Sequence, residues 1–162
     1  MTTFGLLVFD EAEELDLVGP WEVFTASSML KEAEGGNADT VVLIAETLDP
    51  VRCNKGMRVL PDHTTADHPP LDVVLVPGGQ GTREEKDNAS LMTWLADVAG
   101  RAAWVTSVCT GALLLHEAGF AVSVREFVPR SVTPRNLLVL ARRERSARAQ
   151  RSLSSPTGRG SD

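Results

Sequence analysis

Two spacings of apolar residues run through the chain. Phe4 to Phe9, Thr40 to Ala45, Leu71 to Val76 and Ala102 to Val108 are short, nearly continuous apolar runs, several rich in β-branched residues and bounded by turn signals or acids. Such runs predict strands buried on both faces of a parallel sheet. Between the first two, Leu15, Val18, Trp21, Val23 and Phe24 recur at helical spacing, which predicts a helix from Val18 to Met29 with Pro20 in its first turn, ended by Glu34-Gly35-Gly36-Asn37. Asn88 is placed to cap a second helix over Leu91, Trp94, Leu95 and Val98. A third runs from Ala112 to Glu117 and stops at Gly119. Val51 to Leu60 reads as a small extended ribbon around Asn54-Lys55-Gly56, and Pro61 to Pro70 as a loop.

Strands that alternate with helices predict an α/β fold, with a mostly parallel sheet covered by helices on both faces and right-handed crossovers. Ligands on such sheets bind outside the carboxyl ends of the strands. Three segments leave strand ends there: Asp10 to Pro20, Pro77 to Thr82, and Cys109 to Gly111. The pattern weakens beyond Gly119. Val122, Val124, Phe127 and Val128 suggest a weak strand and Asn136 to Leu140 a helical turn. From Ala141 onward Arg, Ser and Ala dominate, too few large apolar groups to offset the entropy of ordering, so disorder is predicted there.

Composition narrows the class. With 162 residues, 43% hydrophobic and 23% charged, the chain fits one soluble globular domain. Its apolar runs fall far short of the roughly 20 residues needed to cross a bilayer, and Met1-Thr-Thr-Phe4 has no basic region ahead of an apolar stretch. A cytoplasmic protein with no membrane partner is expected. The net charge of -6 hides a division: residues 1–120 carry seven basic side chains against nineteen acids, whereas residues 121–162 carry nine Arg and three acids. The acidic body repels phosphates, so nucleic acid is not expected as a partner.

Cys109 lies between a strand and a helix start, where unpaired N–H groups and the helix dipole favour a thiolate. The strand-to-helix turn, with Gly111 just beyond, resembles in outline the elbow that exposes a hydrolase serine; a small buried core cysteine is the alternative. Gly78 and Gly79 follow a buried strand and could bring backbone N–H groups to a developing negative charge, or form a plain turn. Asp16, inside Leu15-Asp-Leu-Val-Gly-Pro20, reads either as an acid with raised proton affinity or as a helix N-cap. Asp10, Glu11, Glu13 and Glu14 read as a solvated acidic loop. His63 and His68 read as surface residues of a polar loop, and with His116 they have no metal-ligand spacing. Cys53 and Cys109, 56 positions apart, read as free thiols, with Cys53 outside the chemistry.

Taken in order, Phe9-Asp-Glu-Ala-Glu-Glu-Leu-Asp-Leu-Val-Gly-Pro-Trp-Glu-Val-Phe24, Pro69-Pro-Leu-Asp-Val-Val-Leu-Val-Pro-Gly-Gly79 and Val105-Thr-Ser-Val-Cys-Thr-Gly-Ala112 resemble the DJ-1/PfpI superfamily, and within it the isonitrile hydratase branch. The resemblance covers residues 4–119. It implies a flavodoxin-like, class I glutamine amidotransferase-like fold, a homodimer, no metal or organic cofactor, and a small-molecule substrate. The implied activity is addition of water to R–N≡C, giving an N-substituted formamide. Residue by residue, it makes Cys109 the nucleophile, Asp16 the acid beside it, Thr110 a residue shaping the site, and Gly78 and Gly79 the backbone donors opposite the thiol. An aspartate at position 16 resembles the hydratase branch rather than the deglycase and chaperone-like branch, where a glutamate is usual. The resemblance stops near Gly119, so residues 120–162 are expected to form an atypical Arg/Ser-rich tail and the sheet to lack its last strands. The other function class consistent with the resemblance is a non-catalytic sensing domain, of the kind that some transcription regulators carry.

Overall fold

The computed structural model describes residues 1–126 and 137–143. In chain order the elements are β1 (Thr3–Leu7), α1 (Glu14–Ala33), β2 (Thr40–Ala45), β3 (Val51–Arg52), β4 (Arg58–Val59), β5 (His63–Thr64), β6 (Val73–Val76), α2 (Thr82–Glu85), α3 (Ala89–Arg101), β7 (Trp104–Ser107), α4 (Gly111–Glu117), β8 (Phe120–Glu126) and β9 (Leu137–Arg143). Five strands form a parallel sheet in the order β5-β2-β1-β6-β7. The chain runs from β1 outward to β2 and β5, then crosses back to β6 on the other side of β1. That reversal, between β1 and β6, is the topological switch point of an open α/β sheet, where a crevice opens at the strands' carboxyl ends.

Side chains one apart on a strand point to opposite faces, and the core divides accordingly. Leu7, Val74 and Val76 join Leu91, Leu95 and Val98 of α3 and Leu114 and Leu115 of α4 on one face. On the other, Leu6, Val8 and Leu75 pack with Leu17 and Phe24 of α1. Both faces are covered because the strands are apolar at every position rather than at alternate ones. The fold is the expected flavodoxin-like α/β arrangement.

Several local expectations change. Helix α1 begins at Glu14, four residues earlier than the pattern suggests, which puts Pro20 in its interior. Glu14 and Asp16 suit the positive end of the helix dipole, and the proline is tolerated at the cost of one internal hydrogen bond. The stretch Pro61 to Pro70 contains β5, paired in parallel with Ile44 and Ala45 of β2, and α2 is an element that the sequence pattern does not predict. Asn88 caps α3 as expected, its side chain accepting from the Leu91 amide at 3.2 Å. Leu137–Arg143 is a strand, not the predicted helical turn. It pairs antiparallel with Phe120–Glu126 in register from Phe120↔Arg143 to Glu126↔Leu137, so Ala141, Arg142 and Arg143 are paired rather than disordered. A run of Leu-Leu-Val-Leu suits a ribbon whose partner supplies its backbone hydrogen bonds. Phe127, Val128, Asn136 and the remainder of the predicted disorder lie outside the described residues. Among the described residues no helix is long and apolar enough to cross a membrane.

Candidate active site

Three loops meet at the carboxyl ends of β1, β6 and β7. Ala12 bridges Gly79, and the Glu13 amide donates to the Gly78 carbonyl at 2.8 Å. The contact is between backbones, and only glycine permits it. A Cβ at Gly78 would stand 2.6 Å from the Thr110 nitrogen and 2.8 Å from the Cys109 Cβ, and one at Gly79, where φ is +131°, would overlap the Glu11 carbonyl oxygen. The Pro77-Gly78-Gly79 segment is thus the wedge that brings the Asp16 loop and the Cys109 turn together.

Cys109 is exposed, and its φ of +53° is left-handed. A side chain pays roughly 1 kcal/mol or more for that conformation, and such strain gathers at sites where a turn must present a group. Here Ser107 ends β7, Gly111 starts α4, and the thiol is held out at the corner between them. Cys53, by contrast, is fully buried, and burial, then the charges of Glu14 and Asp10, push its thiol pKa up. It is a buried core residue with a free thiol.

Asp16 stands in the first turn of α1 but does not cap it. The N-cap is Glu13, which makes no side-chain cap bond. The Asp16 carboxyl instead crosses to the neighbouring loop, where Oδ2 accepts the Gly78 amide at 3.1 Å. Burial raises its pKa above the ordinary carboxylate value and the charge of Glu13 adds to this; the Gly78 N–H, the Cys109 thiol and the Lys55 ammonium pull it down without cancelling the rise. The result is a half-buried acid that keeps a proton to higher pH than a free aspartate.

Thr110 follows the cysteine. Its Oγ1 accepts the Gly79 amide at 3.0 Å. Both glycine amides expected to face a substrate charge therefore donate to side chains, Gly78 to the acid and Gly79 to the hydroxyl.

Two groups at this end of the sheet are not singled out by the sequence. Thr82 is fully buried and donates to the Gly79 carbonyl at 2.8 Å; in the sequence it marks only the end of a loop. The acids before Asp16 are not a free solvated loop. Asp10 accepts the Arg52 amide at 2.9 Å, Glu14 accepts the Lys55 amide at 2.6 Å, and Glu13 pairs with the Lys55 ammonium and the Asn54 side chain. The β3–β4 ribbon is thereby fastened to the loop that carries Asp16. A charged turn opposite a run of acids is the available signal. His68 is likewise not a plain surface residue: Trp94 donates to its Nε2 at 3.0 Å. His63 forms part of β5.

Cavities of about 290 and 470 Å³ lie elsewhere, the first beside Asp10, Glu46 and Glu85, the second at the opposite end of the sheet beside His68, Trp94 and Arg101. Neither is lined by Cys109, whose approach is from open solvent. Among the described residues no cluster of His, Cys, Asp and Glu could hold a metal ion.

The family model of the DJ-1/PfpI family matches residues 4–125, which span all three loops. The chain belongs to the DJ-1/PfpI family. Among its relatives it is 36% identical, over 115 residues, to an isonitrile hydratase from Pseudomonas putida, covering 71% of this chain and 46% of that protein. It is 44% identical over 50 residues to an HTH-type transcriptional regulator from Mycobacterium tuberculosis, covering 31% of this chain and 19% of the regulator. The solved structure of a ThiJ/PfpI family protein from Pseudomonas syringae superimposes with a TM-score of 0.63 at 32% identity, over 73% of this chain and 46% of that one. The chain thus spans about half the length of the hydratase, and a smaller share of the regulator.

Proposed function

We propose that this site performs hydration of an isonitrile. The supporting observation is the pairing of an exposed thiol on a strained turn with a half-buried acid of raised pKa, joined through Gly78. The Cys109 thiolate attacks the terminal carbon of R–N≡C, forming a C–S bond, and the carbanion that develops takes the proton of Asp16. The resulting carboxylate keeps the Gly78 N–H as its donor, so the backbone group stabilises the charge left by proton transfer. Water then adds to the thioimidate carbon. Collapse expels the thiolate and leaves R–NH–CHO, with the Asp16 proton restored from the water. Thr110, beside the thiol, donates a hydrogen bond to the reacting group. No cofactor enters the scheme. We place the protein in the cytoplasm and expect a homodimer; the outward side of α1, where Leu15, Val18, Val23, Met29 and Leu30 are exposed, supports self-association.

Formation of N-cyclohexylformamide from cyclohexyl isonitrile tests the reading. Product that disappears in Cys109→Ala supports it; equal product with and without the thiol sinks it. The match to a transcriptional regulator favours a second reading, a sensing domain without turnover. That reading predicts saturable binding of the isonitrile with no formamide formed.

A further inference from the structure

Thr82 has no part in the hydration chemistry, yet its fully buried hydroxyl gives its one proton to the Gly79 carbonyl at 2.8 Å, beside Thr110. We propose that Thr82 is a positioning residue that keeps the hydroxyl proton of Thr110 free for the group reacting at Cys109. This rests on the hydration reading, because it assigns that proton a use.

Donors and acceptors around Gly79 can be counted. Each threonine hydroxyl has one proton to give. Thr82 Oγ1 lies 2.8 Å from the Gly79 carbonyl oxygen, the usual length for a hydroxyl donor, whereas Thr110 Oγ1 lies 3.3 Å from the same oxygen and 3.4 Å from Thr82 Oγ1. The Gly79 amide meanwhile fills one acceptor position of Thr110 at 3.0 Å. A carbonyl satisfied by a short bond gains less from a second, longer one. With Thr82 present, the loop therefore uses Thr110 chiefly as an acceptor and holds its proton only by the long 3.3 Å contact to the Gly79 carbonyl. Without the Thr82 hydroxyl, the Gly79 carbonyl becomes an acceptor lacking its donor, a state costly enough to draw in the nearest alternative. That alternative is the Thr110 proton.

Thr82→Val keeps the shape and removes the hydroxyl; Thr82→Ser restores the donor. Steady-state formamide production should show kcat down by about tenfold in Thr82→Val with KM little changed, and recovery in Thr82→Ser. The Thr110 hydroxyl proton, read by its exchange with solvent in the full chain, should exchange more slowly in Thr82→Val, where the Gly79 carbonyl holds it, and at the wild-type rate in Thr82→Ser. A Thr82→Val protein with wild-type kcat overturns the inference, as does a Thr82→Ser protein impaired to the same degree as Thr82→Val, which would make the role purely steric. If the wild-type protein forms no Cys109-dependent product, the hydration reading fails by itself and exchange of the Thr110 hydroxyl proton decides the placement of Thr82: unchanged exchange in Thr82→Val refutes it.

Discussion

The two ends of the central sheet are built on different terms. At the amino end, strands are tied by side chains to backbone: Asp72 accepts the Thr3 amide at 2.8 Å and Asp39 accepts the Thr2 amide at 2.6 Å, while the loop before β6 is pinned to α3 side chain to side chain, His68 accepting from Trp94. Most residues there could be exchanged at the loss of one bond. At the carboxyl end, main chains touch directly, Cys109 and Glu11 sit at left-handed φ, and an acid is held partly out of water. One end is arranged for stability. The other gives up some stability to place a thiol, an acid and two hydroxyls within one corner, a pattern expected where geometry serves chemistry.

Substitutions at the two ends should accordingly separate activity from stability. The largest effect is expected of Cys109→Gly, which should abolish formamide production while raising the unfolding free energy by about 1 kcal/mol, since glycine adopts the left-handed turn without strain; denaturant titration measures the gain, and a less stable variant would contradict it. Gly78→Ala should cost about 1–3 kcal/mol of overpacking against Thr110 and Cys109, with most activity lost. In Asp16→Asn, turnover should collapse while the protein becomes more stable at neutral pH. The sign comes from the raised pKa: ionising Asp16 is harder in the folded state, so its contribution to stability is full at low pH and declines as pH rises through the folded value. Melting curves of both proteins at acidic and neutral pH should converge at the acidic end.

Lys55→Met tests the electrostatics more finely. Lys55 lowers the Asp16 pKa and neutralises Glu13, which raises it. Its removal should move the alkaline fall of activity to higher pH, and a shift the other way would mean that another group donates the proton. At the amino end, His68→Ala should cost about 1 kcal/mol through the loss of the Trp94 bond and leave turnover untouched.

The carboxyl end is also the more legible of the two in the sequence, for a physical reason. Continuous apolar runs identify strands buried on both faces, and the loops that leave parallel strands at their carboxyl ends emerge on one side of the sheet. Asp16, Gly78 and Cys109 can therefore be brought together from the order of the runs alone. Long-range pairings leave no local trace. The charge of Lys55 hints at an acidic partner without saying that Asn54-Lys55-Gly56 reaches Glu13, and nothing in Thr82 says that its hydroxyl reaches Gly79. The tail misleads for a related reason. Leu137 to Leu140 satisfies the short apolar pattern of either a helical turn or a strand, and the partner that decides, Phe120–Glu126, lies outside the local window.

Pro20 carries a last consequence. A proline four residues after Asp16 has no N–H to offer the Asp16 carbonyl, so α1 lacks one longitudinal tie at the turn that bears the acid. The opening turn is therefore held less by its own ladder than by what it touches: Leu17 in the core, and Glu13 and Glu14 on the Asn54-Lys55 turn. Pro20→Ala restores the missing donor and should slow exchange at the amides around it, while the position of the carboxyl, set by those outside contacts, should stay as it is.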